Sequence, residues 1–122
     1  DPDPNVRAEA ANALASYGVA RAWPLLKAAF DADAAWLVRC SILSALAEQP
    51  EIDFAWLLDL AGAAITDGDG TVRVSGAEIL GRIVRERADQ PIGEQARTLL
   101  QPLQKDADHR VVAAALNGLQ LR

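Results

Sequence analysis

Asp67-Gly68-Asp69-Gly70 has the residue types of a calcium loop, and a count of twelve places from Asp67 ends on Glu78. Carboxylates are the hard oxygen ligands that calcium takes, but such a loop needs glycine at its sixth place for the sharp turn. Val72 stands there, so calcium is not expected. His109 is the only histidine, which leaves no His-based metal site. Cys40 is the only cysteine, with no histidine to activate it as a nucleophile. No Ser-His-Asp set, phosphate-binding glycine loop or dinucleotide motif can be assembled. No catalytic residue, cofactor or metal is therefore assigned. What remains is arginine: Arg7, Arg39 and Arg73 at one recurring place, and Arg82, Arg85 and Arg87 close together. Guanidinium groups bind carboxylates and phosphates through paired donors.

The elements that hold these arginines repeat. Four Asp-x-Asp pairs (Asp1/Asp3, Asp31/Asp33, Asp67/Asp69 and Asp106/Asp108) each precede a nine-residue block that begins with Val and ends with Leu. The blocks start at Val6, Val38, Val72 and Val111, giving periods of 32, 34 and 39 residues. Self-similarity at such a period means stacked supersecondary units. Asp3, Asp69 and Asp108 lie three residues before their Val and suit a helix N-cap. Asp33 lies five before Val38, which reads as two residues inserted around Ala35 and Trp36. Each block is the second helix of a hairpin. A first helix precedes three of them, over about 20–30, 52–64 and 92–104, with Leu26, Leu60 and Leu99 each twelve residues before the Val. Pro24 and Pro102 should kink or shorten the first and last of these. The expectation is an all-α chain of seven helices, about three and a half hairpins. It forms one repeat domain over 1–122, with units of about 1–18, 19–50, 51–88 and 89–122.

The pattern resembles HEAT repeats, and more narrowly the short HEAT-like repeats of phycobilin lyase subunits and bacterial scaffold proteins. It is carried by Asp-Pro-Asn-Val-Arg at 3–7, Asp-Gly-Thr-Val-Arg at 69–73 and Val-Arg at 38–39, while Val112 replaces the arginine in the fourth copy. The resemblance implies an α-α superhelix, or solenoid, whose second helices line the concave side. It also implies that Arg7, Arg39 and Arg73 bridge to the turn aspartates of neighbouring repeats. The His-Glu iron pairs of some HEAT-like enzymes are missing, which excludes deoxyhypusine hydroxylase-type chemistry. HEAT-like DNA glycosylases present a basic groove, whereas here the one basic cluster, Arg82, Arg85 and Arg87, lies where cations complement a helix C-terminus.

Composition narrows the partners. A net charge of −5 and a pI near 4.7 argue against nucleic acid and against anionic membranes. No apolar run approaches the ~20 residues that span a bilayer. One cysteine fits a reducing compartment, so a cytoplasmic location is expected. The chain opens on Asp1-Pro2, inside a repeat and without Met, which reads as a piece of a longer array. On that reading the apolar flank of Val6, Ala10, Leu14 and Tyr17 is covered by a further repeat or a second copy.

With Val, +4, +5 and +8 facing inward, the +3, +6 and +10 places of the second helices face the groove. These are Glu9/Ser41/Ser75/Ala114, Asn12/Ser44/Glu78/Asn117 and Ser16/Glu48/Arg82/Leu121. The expected binding residues are Asn12, Ser41, Ser44, Ser75, Glu78, Arg82 and Asn117, with Trp36 and Arg85 as further candidates. Trp23 reads as core and Trp56 as the rim of the apolar stripe. The function this favours is a non-catalytic scaffold that binds a protein or peptide along the concave face. The alternative is a phycobilin lyase-like subunit, with Arg82 and Arg85 as cations for a bilin's propionates.

Overall fold

The computed structural model describes residues 2–49 and 52–120. Among them are seven α-helices, one 3-10 turn and no strand, the all-α repeat read from the sequence. Contacts divide the chain into two compact units, residues 1–52 and 53–122.

The first unit holds α1 (Pro4–Ser16), α2 (Val19–Ala32) and α3 (Trp36–Ala47). The Asp3 carboxylate accepts the Asn5 amide at 2.9 Å, and Pro4 takes the first helical place, where its missing N–H costs nothing. Gly18 joins α1 to α2 with φ +131°, a left-handed value that a Cβ would strain. α2 runs unbroken through Pro24, which removes one internal hydrogen bond without ending the helix, so the expected shortening does not occur. The core is Leu26 and Phe30 from α2 against Val38, Ile42, Leu43 and Leu46 from α3, with Ala8, Ala11 and Ala15 from α1.

Several sequence expectations fail in this unit. There is no insertion before α3: Asp33 stands five residues before its Val, the place held by Asp67 and Asp106, and it accepts the amide two residues on as they do. Ala35 takes the capping place and makes no side-chain cap, while Trp36 is the first residue of α3, not part of a turn. The inward columns hold only in part in α1. Val6 (44% exposed), Ala10 and Leu14 face solvent, whereas Ala11 is buried with Ala8 and Ala15, and Tyr17 just after the helix is 83% exposed. Trp23, read as core, is only half-buried.

The second unit holds α4 (Phe54–Ala64), α5 (Gly70–Glu86), α6 (Pro91–Leu100), a 3-10 turn (Gln101–Lys105) and α7 (His109–Gln120). Asp53 caps α4 through the Ala55 amide at 2.8 Å, a cap the repeat pattern did not reveal. Asp69 caps α5 through Thr71 at 2.8 Å, and the Asp108 carboxylate accepts the Arg110 amide at 2.9 Å. Pro102 does end α6, converting the rest of the expected helix into the 3-10 turn. Leu57, Leu60, Leu80, Ile83 and Leu100 are fully buried. Each stabilises the unit by about 1.5–3 kcal/mol relative to an exposed side chain. Gly81 and Gly118 let α5 and α7 meet backbone to backbone: a Cβ on Gly118 would stand 3.0 Å from the Gly81 Cα.

Candidate interaction groove

The arginines at the second place of the first three blocks are structural in geometry. Arg7 donates through Nε and a terminal nitrogen to the two Asp33 oxygens, at 2.7 and 3.1 Å. Arg73 does the same to Asp106, at 3.0 and 3.1 Å. Two parallel bonds to one carboxylate are the strong form of this contact. Arg73 also donates to the Asp67 carbonyl oxygen at 2.9 Å, and Arg39 donates to that of Asp33 at 2.8 Å. One guanidinium thus closes its own turn and holds the next. The Arg7 and Arg73 hydrogen bonds hold the Asp33 and Asp106 carboxyls below the usual range, while the arginines are raised in turn. Hydrogen bonds from Arg110, side chain first and then backbone, push Asp108 down to about 2.

The carboxylates of the turn at 67–69 also serve their own backbone: Asp67 accepts the Asp69 amide and Asp69 accepts the Thr71 amide. Glu78 lies on the exposed face of α5.

In the first unit Asn12 and Ser44 are exposed and Ser41 is half-buried, while Trp36 is 47% exposed. In the second unit Glu78, Arg85 and Asn117 are exposed, and Ser75 and Arg82 are half-buried. Leu121, of the same columns, lies outside the described residues. Four of the expected residues, Glu78, Arg82, Arg85 and Asn117, line one groove of about 450 Å³ between α5 and α7, and Ser75 does not line it. Its floor includes Gly81 and Gly118, where no side chain rises. Arg110 also lines it and was missed. The signal was available, since Arg110 directly precedes Val111, where the other copies carry Asn5, Leu37 and Thr71. Arg82 donates to Glu86 at 2.7 Å, and its guanidinium and that of Arg87 lie 5.1 and 4.3 Å from the Phe54 ring centre. Arg85 lies in the last turn of α5, where a cation complements the helix end.

Among the described residues no cluster of three His, Cys, Asp or Glu is placed to hold a metal ion. No helix there is long and apolar enough to cross a membrane. The groove's chemistry is hydrogen bonding and charge.

Residues 1–47 match the family model described as HEAT repeats. No curated protein matches the chain, and no solved structure does. The match covers the first unit's three helices with the Arg7–Asp33 clasp, and the second unit repeats that clasp with Arg73 and Asp106. Over residues 1–47 the chain is similar to the HEAT-repeat family.

Proposed function

We propose that this chain is a non-catalytic scaffold module that binds a protein or peptide along the exposed face of its second helices, the side read from the sequence as concave. HEAT repeats generally serve protein–protein interaction. The observation that carries the reading is the α5/α7 groove, which gathers three residues singled out by column, Glu78, Arg82 and Asn117, with Arg85 of the basic cluster. Its side chains offer donors and acceptors, and its glycine floor leaves room for a main chain. Asn12, Ser41 and Ser44 hold the corresponding places within the first unit, and Ser75 within the second. Trp36 is a further anchor, since exposed aromatics are common binding hot spots. The partner is neither nucleic acid nor membrane on this reading, and the location is the cytoplasm. The bare flank of α1 is covered by another repeat or a second copy.

The test is a comparison of faces. Ser44→Trp, Glu78→Arg and Asn117→Trp should each keep the helical circular dichroism signal and weaken capture of any partner. Ala28→Glu and Ala63→Glu, exposed on first helices, should not. If the two sets weaken capture equally, the face is misassigned, and unfolding by Ser44→Trp would show that it is not a surface. For the bilin alternative, the observation in favour is that Arg82 and Arg85 both line the groove. An absorbance shift on titration with a bilin, lost in Arg82→Gln with Arg85→Gln, would select it.

A further inference from the structure

We infer that the α5/α7 groove takes an extended acidic peptide segment, with Arg85 receiving its carboxylate; this deepens the interaction reading above and rests on it. Three arginines line the groove against a single carboxylate, Glu78, in a chain that is acidic as a whole. Two of the three have internal counter-charges: Arg82 has Glu86 at 2.7 Å, and Arg110 has Asp108 at 2.8 Å. Arg85 is exposed and has neither a hydrogen-bond nor an ion-pair partner among the described residues. The helix end near it carries about half a unit of opposite charge, which reduces its full positive charge without cancelling it. Its planar donors match a carboxylate in two-point contact.

The layout of charge selects the kind of acid. Arg110 lies at the α5 start, donating to the Thr71 hydroxyl, and Arg85 lies near its end. At 1.5 Å per residue these ends are about 20 Å apart, room for about six extended residues. Between them stands Glu78, exposed and without a partner among the described residues. A single nucleic-acid strand carries a charge at about every 3.4 Å and would set phosphates against Glu78. An extended peptide turns a side chain to one face only every second residue, about 7 Å. It can therefore bring carboxylates to the ends and an amide N–H to Glu78.

Fluorescence anisotropy with the 122-residue chain tests this, using fluorescein-labelled ten-residue peptides of alternating Glu/Ala, Gln/Ala or Lys/Ala and a labelled single-stranded oligonucleotide. At low salt the Glu/Ala peptide should bind at least about tenfold more tightly than the others and weaken as salt rises. Arg85→Gln should weaken it by about fivefold or more, whereas Glu78→Gln should tighten it by about two- to threefold. Both positions are exposed, so folding should be unaffected. Unchanged affinity in both variants overturns the inference, as does tighter binding of the oligonucleotide. If the Gln/Ala or Lys/Ala peptide binds as well as the acidic one and Asn117→Trp abolishes it, acid selectivity fails while the groove reading stands. If no peptide binds at all, both fail.

Discussion

Asp33 and Asp106 each accept one amide of their own turn and two bonds from an arginine of the preceding repeat, so each carboxylate serves two repeats at once. Because their folded pKa values are lowered, the stability they supply is complete above the unfolded value near 3.8 and fades as pH falls through the folded values. Asp108, at about 2, adds to the same window. The denaturation midpoint should therefore hold steady from about pH 7 to 5 and decline below about 4. Asp33→Asn with Asp106→Asn should be less stable at pH 7 and lose less on acidification. An equal acid-induced loss in the wild type and the double variant would remove the clasps from the explanation. This part of the fold was legible, because Arg and Asp recur at fixed distances from each Val. The third cap was not, since Asp31 and Asp33 imitate the pair spacing one step early. Ala35 has the extended backbone of the capping residues Asp3 and Asp69 (φ −81°, ψ 120°), yet no side chain with which to cap. Ala35→Asp should stabilise the chain by about 0.5–1 kcal/mol, read as a raised thermal midpoint. A lowered midpoint would mean that the place is not a cap.

At the scale of helices, glycines with similar sequence surroundings separate by what lies above them. A Cβ on Gly62, within α4, would meet only the Leu99 side chain at 3.7 Å, an ordinary contact. Gly62→Ala should stabilise by about 0.5–1 kcal/mol. On Gly118 the Cβ would stand 2.8 Å from a Leu100 methyl and 3.0 Å from the Gly81 backbone. Gly118→Ala should cost about 1–3 kcal/mol and part α5 from α7, deforming the groove. Thermal denaturation of the two variants checks both, and equal shifts would contradict the helix crossing. No local pattern distinguishes these glycines, because the difference is made by neighbours distant in sequence. The two prolines teach the same lesson: Pro102 ends its helix and Pro24 does not. The groove was half legible, since period alone brought Glu78, Asn117 and Arg82 to one face, and the basic cluster added Arg85. Arg110 stands out by charge at the place before each Val, but only the packing of α5 on α7 brings it to the groove.

Across the molecule, equivalent places in two second helices have opposite surroundings. Val72, Leu80 and Ile83 of α5 are fully buried, while Val6 and Leu14 of α1 and Tyr17 just after it are exposed. Local opening costs least where few apolar contacts must be broken. Hydrogen exchange should therefore find residues 5–17 less protected than 72–84. Strong protection across 5–17 in a confirmed monomer would contradict this, and protection that grows with concentration would mean burial against a second copy. The clasps bear on a different matter, the chain's capacity to change length. Arg7 reaches Asp33 across 26 residues and Arg73 reaches Asp106 across 33, yet both close with the same two-point geometry. Spacing between successive second helices within a unit is thus set by the fastener and not by the contour between its ends. Insertions and deletions between residues 86 and 105 should be absorbed as a longer or shorter detour. A single residue added between Asp106 and Val111 would disengage the turn from its arginine. In a lineage of such chains, drift in repeat length should accumulate in the first helices and their linkers and stop at the five residues before each Val.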